Sequence, residues 1–259
     1  MAWQWDETLF GGSAPYYARG RLPYPETLAD AIRDALSLDG RGRLLDVGCG
    51  PGSLTRLLAP LVAEAVGIDA DPGMVREAER SAPGNARFLR LRAEELPAGL
   101  GSFRVIAAAQ SFHWLESGVA GVLHELLEPG GAFVHVGATT HEGDGNVPRA
   151  EIAELVREYL GPVRRAGAGV LPDGTRSDER ELLESHGFSN RRELDVPRGE
   201  IFERSEDDVV ASVFSLSSAA PHLFGDRLAA FEQDLRAVLR GRGPFHERAR
   251  DITVTIWDR

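Results

Sequence analysis

Three features of this sequence have the residue types and spacing for chemistry. The first is a glycine turn closing an apolar run, LLDVGCGPG (44–52), where Gly48, Gly50 and Gly52 alternate behind Asp46. Such a turn lets backbone approach a ligand closely, because glycine has no Cβ and accepts positive φ. The second is Asp69, a carboxylate near the end of the next apolar run, AVGIDA (65–70). It follows the turn by roughly 20 residues, the spacing at which an acidic side chain accepts hydrogen bonds from both hydroxyls of a ribose. The third is His113 in QSFHWLE (110–116), of the residue type most often used to move protons near neutral pH.

Strands and helices must hold these residues in place. RLLDV (43–47) reads as a short buried strand. SLTRLLAPL (53–61) then puts Leu54, Leu57, Leu58 and Leu61 at helical spacing, with Ser53 as N-cap. AVGIDA is a second strand, and Asp71-Pro72 opens the helix after it. RFLRLRA (87–93), RVIAAAQ (104–110) and AFVHVGA (132–138) supply three more strands, and GVAGVLHELLE (118–128) carries an apolar helical stripe. A further helix over YPETLADAIRDALSL (24–38) precedes them all. Strands alternating with helices specify parallel β-α units in a doubly wound sheet.

The polar stretch HEGDGNVPRA (141–150) marks a boundary. Beyond it, helical patterns at 148–161, 177–187, 206–218 and 226–241 read as a helical cap. RRELDVPRGEIF (191–202) alternates like a strand, and DITVTIW (251–257) closes the sheet as an antiparallel one. The expected organisation is an N-terminal cap with the first helix over 1–40, a cofactor-binding core over 41–140, and the cap with closing strands over 141–259.

Composition narrows the function. The net charge is −11, from 29 basic and 40 acidic residues, which disfavours nucleic-acid and anionic-membrane partners. Every basic residue is arginine. Without lysine, neither Schiff-base catalysis nor a Gly-Lys-Ser/Thr phosphate loop is available. Cys49 is the single cysteine, so no intrachain disulfide forms. No basic leader or membrane-length apolar run is present, and a cytoplasmic location is expected. The histidines lack metal-ligand spacing, so no metal is expected.

The turn alone fits a nicotinamide dinucleotide or a sulfonium nucleoside. A dinucleotide site asks for Gly or Ala three residues after Gly50, where helix and strand pack closely, and Ser53 stands there. S-Adenosyl-L-methionine needs no diphosphate cradle. It needs acceptors for an ammonium group, and Asp46 with neighbouring strand-end carbonyls can supply them.

Taken in order, LLDVGCGPGSLT, VGIDADPGMV, LRAEELP, AAAQSFHW and LLEPGGAFV resemble a class I S-adenosylmethionine-dependent methyltransferase, of the small-molecule branch with His-Trp after the fourth strand. The resemblance covers roughly residues 12–140. It implies a Rossmann-like seven-stranded sheet with the last strand antiparallel and an inserted helical cap. It also implies that Gly48, Cys49 and Gly50 pack against the cofactor, that Asp46 helps hold its amino-acid end and that Asp69 binds its ribose. By the same resemblance, Ala70 and Met74 lie near the adenine, Ala93 and Glu94 read it, and Gln110 and Ser111 sit beside the transferred methyl. YYARGRLPYP (16–25) resembles a segment that folds over the cofactor, with Tyr17 and Arg21 contacting the methionine carboxylate. Arg92, Arg104 and Leu22 depart from the residues usual at their positions in the family.

Each feature also has a plainer structural reading. Asp69 could cap a helix, the 16–25 aromatics and Trp3 and Trp5 could simply pack, and His113 with Trp114 could form a pocket wall. SLSSAAPHLFGD (215–226) reads as a loop with capping serines or as part of an acceptor site. The functional expectation is methyl transfer to an O, N or C nucleophile of a small molecule, with His113 as candidate base. The competing expectations are a NAD(P)-dependent oxidoreductase and a non-catalytic S-adenosylmethionine-binding protein.

Overall fold

Leu44 and Leu45 are adjacent in sequence yet belong to two different hydrophobic clusters, one on each face of the sheet. A strand apolar on both sides must lie between two layers of helices, as in a parallel sheet. The computed structural model describes residues 6–172 and 174–259; Trp3 and Trp5 lie outside them. Its seven-stranded sheet comprises β1 (Arg43–Val47), β2 (Glu64–Asp69), β3 (Ala86–Arg90), β4 (Phe103–Ala109), β5 (Leu127–Gly137), β6 (Ser189–Val196) and β7 (Ile252–Asp258). The strand order is β3-β2-β1-β4-β5-β7-β6. The strands from β1 to β5 pair in parallel, and β7 runs antiparallel to both β5 and β6.

The helices of this core unit are α1 (Glu26–Leu36), α2 (Ser53–Leu58), α3 (Pro72–Arg80), α4 (Val119–Leu126) and α5 (Glu179–Ser185). Leu28 and Ile32 of α1 and Leu54 and Leu58 of α2 pack on Leu44, Val105 and Val134. Leu123 of α4 and Leu183 of α5 cover Leu45, Ile106 and Phe133 on the other face. The order of β2-β1-β4 matters for function. The chain leaves β1 toward one side of the sheet and β4 toward the other, which opens a crevice at their carboxyl ends where ligands of such sheets bind.

The chain divides into two units. The core unit takes Pro23–Ala138, Thr175–Pro197 and Asp251–Arg259, and the helical unit takes the rest. The helical unit has its own core, in which Phe214, Phe224 and Phe231 are buried and the last two stack at 3.9 Å. Its helices include Ala14–Gly20, Arg149–Leu160, Glu206–Phe214 and Leu228–Leu239. A small sheet formed by Ile201–Arg204, Phe245–Arg248 and Asp144–Gly145 accompanies them.

Three sequence expectations are corrected. The 1–40 grouping divides between Leu22 and Pro23: the first helix joins the core unit, because Leu28 and Ile32 complete one face of the sheet. The helix α5, expected in the cap, also belongs to the core, because Leu183 fills the opposite face. The alternating run 191–202 is two strands in different units, separated at Pro197. Ile32 is fully buried. Ile32→Ala is therefore expected to destabilise the protein by about 2–5 kcal/mol in urea unfolding. A loss near zero would show that this helix does not complete the core.

Candidate functional site

Hydrogen bonds fasten the glycine turn to the neighbouring strand ends. Cys49 N donates to Ile68 O of β2 at 2.9 Å. Gly50 N donates to Asp69 Oδ2 at 2.8 Å. Ser111 Oγ donates to Val47 O at 2.6 Å, so the segment after β4 is tied to the end of β1. Gly48 adopts φ +67°, and a Cβ there would lie 2.5 Å from the Ser111 Cβ. The glycine is thus required by the approach of Ser111. Gly50 has φ +54° and nothing within 4 Å of where a Cβ would stand. Its missing side chain leaves open space beside the turn.

Asp46 is wholly buried one residue before the end of β1. Its Oδ2 accepts from Thr55 Oγ1 of α2 at 2.6 Å, while Oδ1 has no hydrogen-bond partner among the described residues. Burial pushes its pKa up to about 7, opposed by the Thr55 hydroxyl and reinforced by the nearby charge of Asp69. Burial likewise pushes Asp69 up to about 6, against the hydrogen bonds it accepts from Asp71 N and Gly50 N. Asp69 is not the helix cap; Asp71 does that, accepting from Gly73 N and Met74 N at the start of α3. Burying an unmatched carboxylate oxygen costs free energy. A cation placed beside it recovers that loss, whereas a diphosphate would face two carboxylates, one of them wholly buried. This donor set fits the ammonium and sulfonium of S-adenosylmethionine better than a dinucleotide.

Of the other expected residues, those in the core unit lie in segments that follow β2, β3 and β4. Ala70 follows β2, and Met74 is buried on α3. Ala93 and Glu94 begin the short turn after β3, which is held to β2 by Leu91 N donating to Asp69 O at 3.1 Å. Glu94 accepts from Glu116 N at 3.3 Å and from Arg92 Nε at 3.3 Å, so the departure at Arg92 has a local purpose. Gln110 leaves β4 with φ +55° and an exposed side chain. A non-glycine residue pays about 1–2 kcal/mol for that conformation, the sort of strain found at functional sites. His113 is half-buried in the turn Phe112–Trp114, its ring centroid 4.9 Å from that of Trp114. Tyr17 and Arg21 stand together in the helical unit, the guanidinium 4.4 Å from the ring centroid. Arg21 donates to Ser215 Oγ at 2.8 Å, to Ser215 O at 2.7 Å and to Thr140 Oγ1 at 3.4 Å. Gly52, not Ser53, is the N-cap of α2, so Ser53 does not serve the expected capping role; Thr55, two residues further on, went unread in the sequence.

A methyltransferase domain family matches residues 44–131, the segment from β1 into β5. Over that segment the chain is similar to methyltransferase domains. An uncharacterized methyltransferase of Mycobacterium tuberculosis is 31% identical over 156 residues, 60% of this chain and 61% of that one. The chain thus matches less than two thirds of the length of that relative. A protein named as an S-adenosyl-L-methionine-dependent Diels-Alderase, from Talaromyces variabilis, is 27% identical over 96% of this chain and 88% of its own. Among solved structures, the YcgJ protein of Bacillus subtilis shares the fold with a TM-score of 0.53 and 16% identity, over 91% of this chain and 99% of that one. Among the described residues, no helix is long and apolar enough to cross a membrane, and no cluster of three metal-ligating side chains occurs.

The buried carboxylates give a signed pH dependence. Asp46 has a folded-state pKa above its unfolded value of 3.8, so its contribution to stability is present below that value and is lost as pH rises through about 7. The half-buried His135 and His141, whose pKa values burial lowers, act in the opposite sense at mildly acidic pH. The telling quantity is therefore the difference between the ligand-free protein and Asp46→Asn. Between pH 5 and pH 8 the parent should lose roughly 2 kcal/mol relative to the variant in chemical denaturation. Parallel pH profiles would show that Asp46 stays ionised throughout.

Proposed function

We propose that this protein transfers a methyl group from S-adenosylmethionine to an O, N or C nucleophile of a small molecule by direct displacement. The observation that carries the reading is Asp46, a buried acid with one unpartnered oxygen beside an open glycine turn. The match of residues 44–131 to a methyltransferase domain family and the sheet crevice at β1 and β4 support it.

Bound S-adenosylmethionine supplies an electrophilic methyl group on a sulfonium. Asp46 receives the ammonium end of the donor, and Asp69 takes the ribose hydroxyls with the lone pairs left free by its two backbone hydrogen bonds. Gly48, Cys49 and Gly50 present backbone to the donor; Ala70, Met74, Ala93 and Glu94 surround the adenine. Gln110 and Ser111 border the methyl, and Tyr17 and Arg21 meet the methionine carboxylate. Displacement at a sulfonium is helped most by holding the nucleophile in line, so walls and clamps supply much of the rate. His113 takes a proton from the acceptor where the nucleophile must lose one.

Binding is tested before chemistry. S-Adenosylhomocysteine should raise the melting temperature and reduced nicotinamide dinucleotide should not; the reverse would make the protein an oxidoreductase. Affinity for S-adenosylmethionine should increase from pH 6 to pH 8 as Asp46 ionises, and Asp69→Ala should abolish it. His113→Ala should lower turnover roughly 10²-fold at neutral pH with donor affinity unchanged, the loss shrinking as pH rises. Unchanged turnover would leave His113 as pocket wall.

A second reading has its own support, the 96% of this chain that aligns with a protein named as a Diels-Alderase. In it the donor is bound and no methyl leaves. Incubation with methyl-labelled donor and fractionated cell extract separates the two: label in a product supports transfer, and tight donor binding without a labelled product supports the second reading.

A further inference from the structure

The helical unit contains a cavity of about 300 Å³, at the small end of the range for small-molecule sites. One wall is apolar, formed by Ile152 and Val156 of the Arg149–Leu160 helix with Val213 and Leu216. His141, Arg149 and Arg164 bring polar and cationic groups to the same space.

The charges around it do not balance. Glu247, fully buried, accepts from Arg149 Nη2 at 2.6 Å and from Arg204 Nη1 at 3.0 Å, so one carboxylate serves two guanidiniums. Glu142, also at the cavity, accepts from Arg250 Nη1 at 2.9 Å and lies 4.0 Å from Arg149 Nε. That Nε is buried and has no hydrogen-bond partner among the described residues. Arg250 also pairs with Asp144, and Arg157 with Glu154. Among the described residues, the Arg21 side chain bonds neutral oxygens and lies over the Tyr17 ring, and the Arg165 side chain donates to Leu160 O. Arg164 has neither a side-chain hydrogen bond nor an ion pair among the described residues, and it is accessible at the cavity wall. The imbalance is felt by His141, whose pKa falls to about 3 through burial and through Arg21, Arg149, Arg250 and Arg164. In a chain of net charge −11, a positive potential this local is built in by the fold.

We propose that this cavity binds a small carboxylic acid with an apolar body, its carboxylate taken by Arg164 and Arg149 and its chain or ring lying on Ile152, Val156 and Leu216. The apolar wall is wasted on a bare anion, and the Arg164 guanidinium with the open Arg149 Nε is wasted on a neutral hydrocarbon; a molecule with both parts uses both. Guanidiniums favour carboxylates through paired N–H donors, and in a partly enclosed site each such bond is stronger than in water. The inference rests on the helical unit alone and does not depend on the core binding a methyl donor.

Calorimetry on the full-length protein tests it with three probes of one length: octanoate, octanamide and octyl phosphate. Octanoate should bind at least roughly tenfold more tightly than octanamide, and its affinity should fall as salt is raised. Arg164→Gln changes an accessible side chain without a partner, so it should fold normally and weaken octanoate roughly tenfold while leaving octanamide unaffected. Val156→Trp, which fills the cavity, should remove binding of both. Equal affinity for acid and amide, or an unaltered Arg164→Gln variant, would overturn the proposal. Preference for octyl phosphate over octanoate would overturn the carboxylate assignment.

Discussion

Everything at the candidate site follows from one costly placement: an acid buried near the carboxyl end of β1 with one of its two oxygens unmatched among the described residues. Asp46 sits between β2 and β4, in the register Asp46↔Gly67 on one side and Asp46↔Ala107 on the other. Neither neighbour offers a side-chain donor. Thr55 reaches back from α2 to satisfy one oxygen, and the second is left for whatever occupies the crevice. An apo protein carrying such a group is less stable than it need be at neutral pH. That deficit is available to any cation that completes the site, which is how a binding site can be selective for charge before it is selective for shape.

The glycine turn transmits this requirement to the surrounding elements. Its backbone is pinned by Ile68 O, by Asp69 and by the Ser111–Val47 bond, so the ends of β1, β2 and β4 cannot move independently. Gly67 serves the same packing from below: a Cβ there would meet Phe88 at 2.6 Å and the Cys49 sulfur at 2.9 Å. Cys49 is consequently a packing residue, buried with Val75, Ala78 and Phe88, and burial drives its thiol pKa well up. A thiol held so is a poor nucleophile.

The legible part of the sequence was the part whose partners are close in the chain. The run from Leu44 to Ser53 carries strand, turn and helix start together, and Asp69 follows at a spacing set by a single helix and strand. The period of Leu54, Leu57, Leu58 and Leu61 predicts a helix over 53–61; the structure ends α2 at Leu58 and continues as a short 3₁₀ turn through Leu61. What could not be read are assignments that depend on distant partners. The helix over 26–36 has the same pattern whether it covers a sheet or a cap, and only the burial of Leu28 and Ile32 against Leu44 decides. Pro197 splits an unbroken alternating run between two units. The charge cluster at Glu247 gathers Arg149 and Arg204 from segments about 100 and 40 residues away, and no local spacing announces it.

The strand order carries a consequence for how this protein is made. β7 inserts between β5 and β6, although both precede it in the chain. Until residues 252–258 emerge, β5 and β6 each present a row of unpaired backbone groups, and β5 is apolar on both faces. Open apolar strand edges recruit other chains. The interval between synthesis of β6 and arrival of β7 spans the whole Arg198–Arg250 segment of the helical unit. Nascent chains are therefore most exposed to misassembly while that segment is being made, and chaperone demand should peak there.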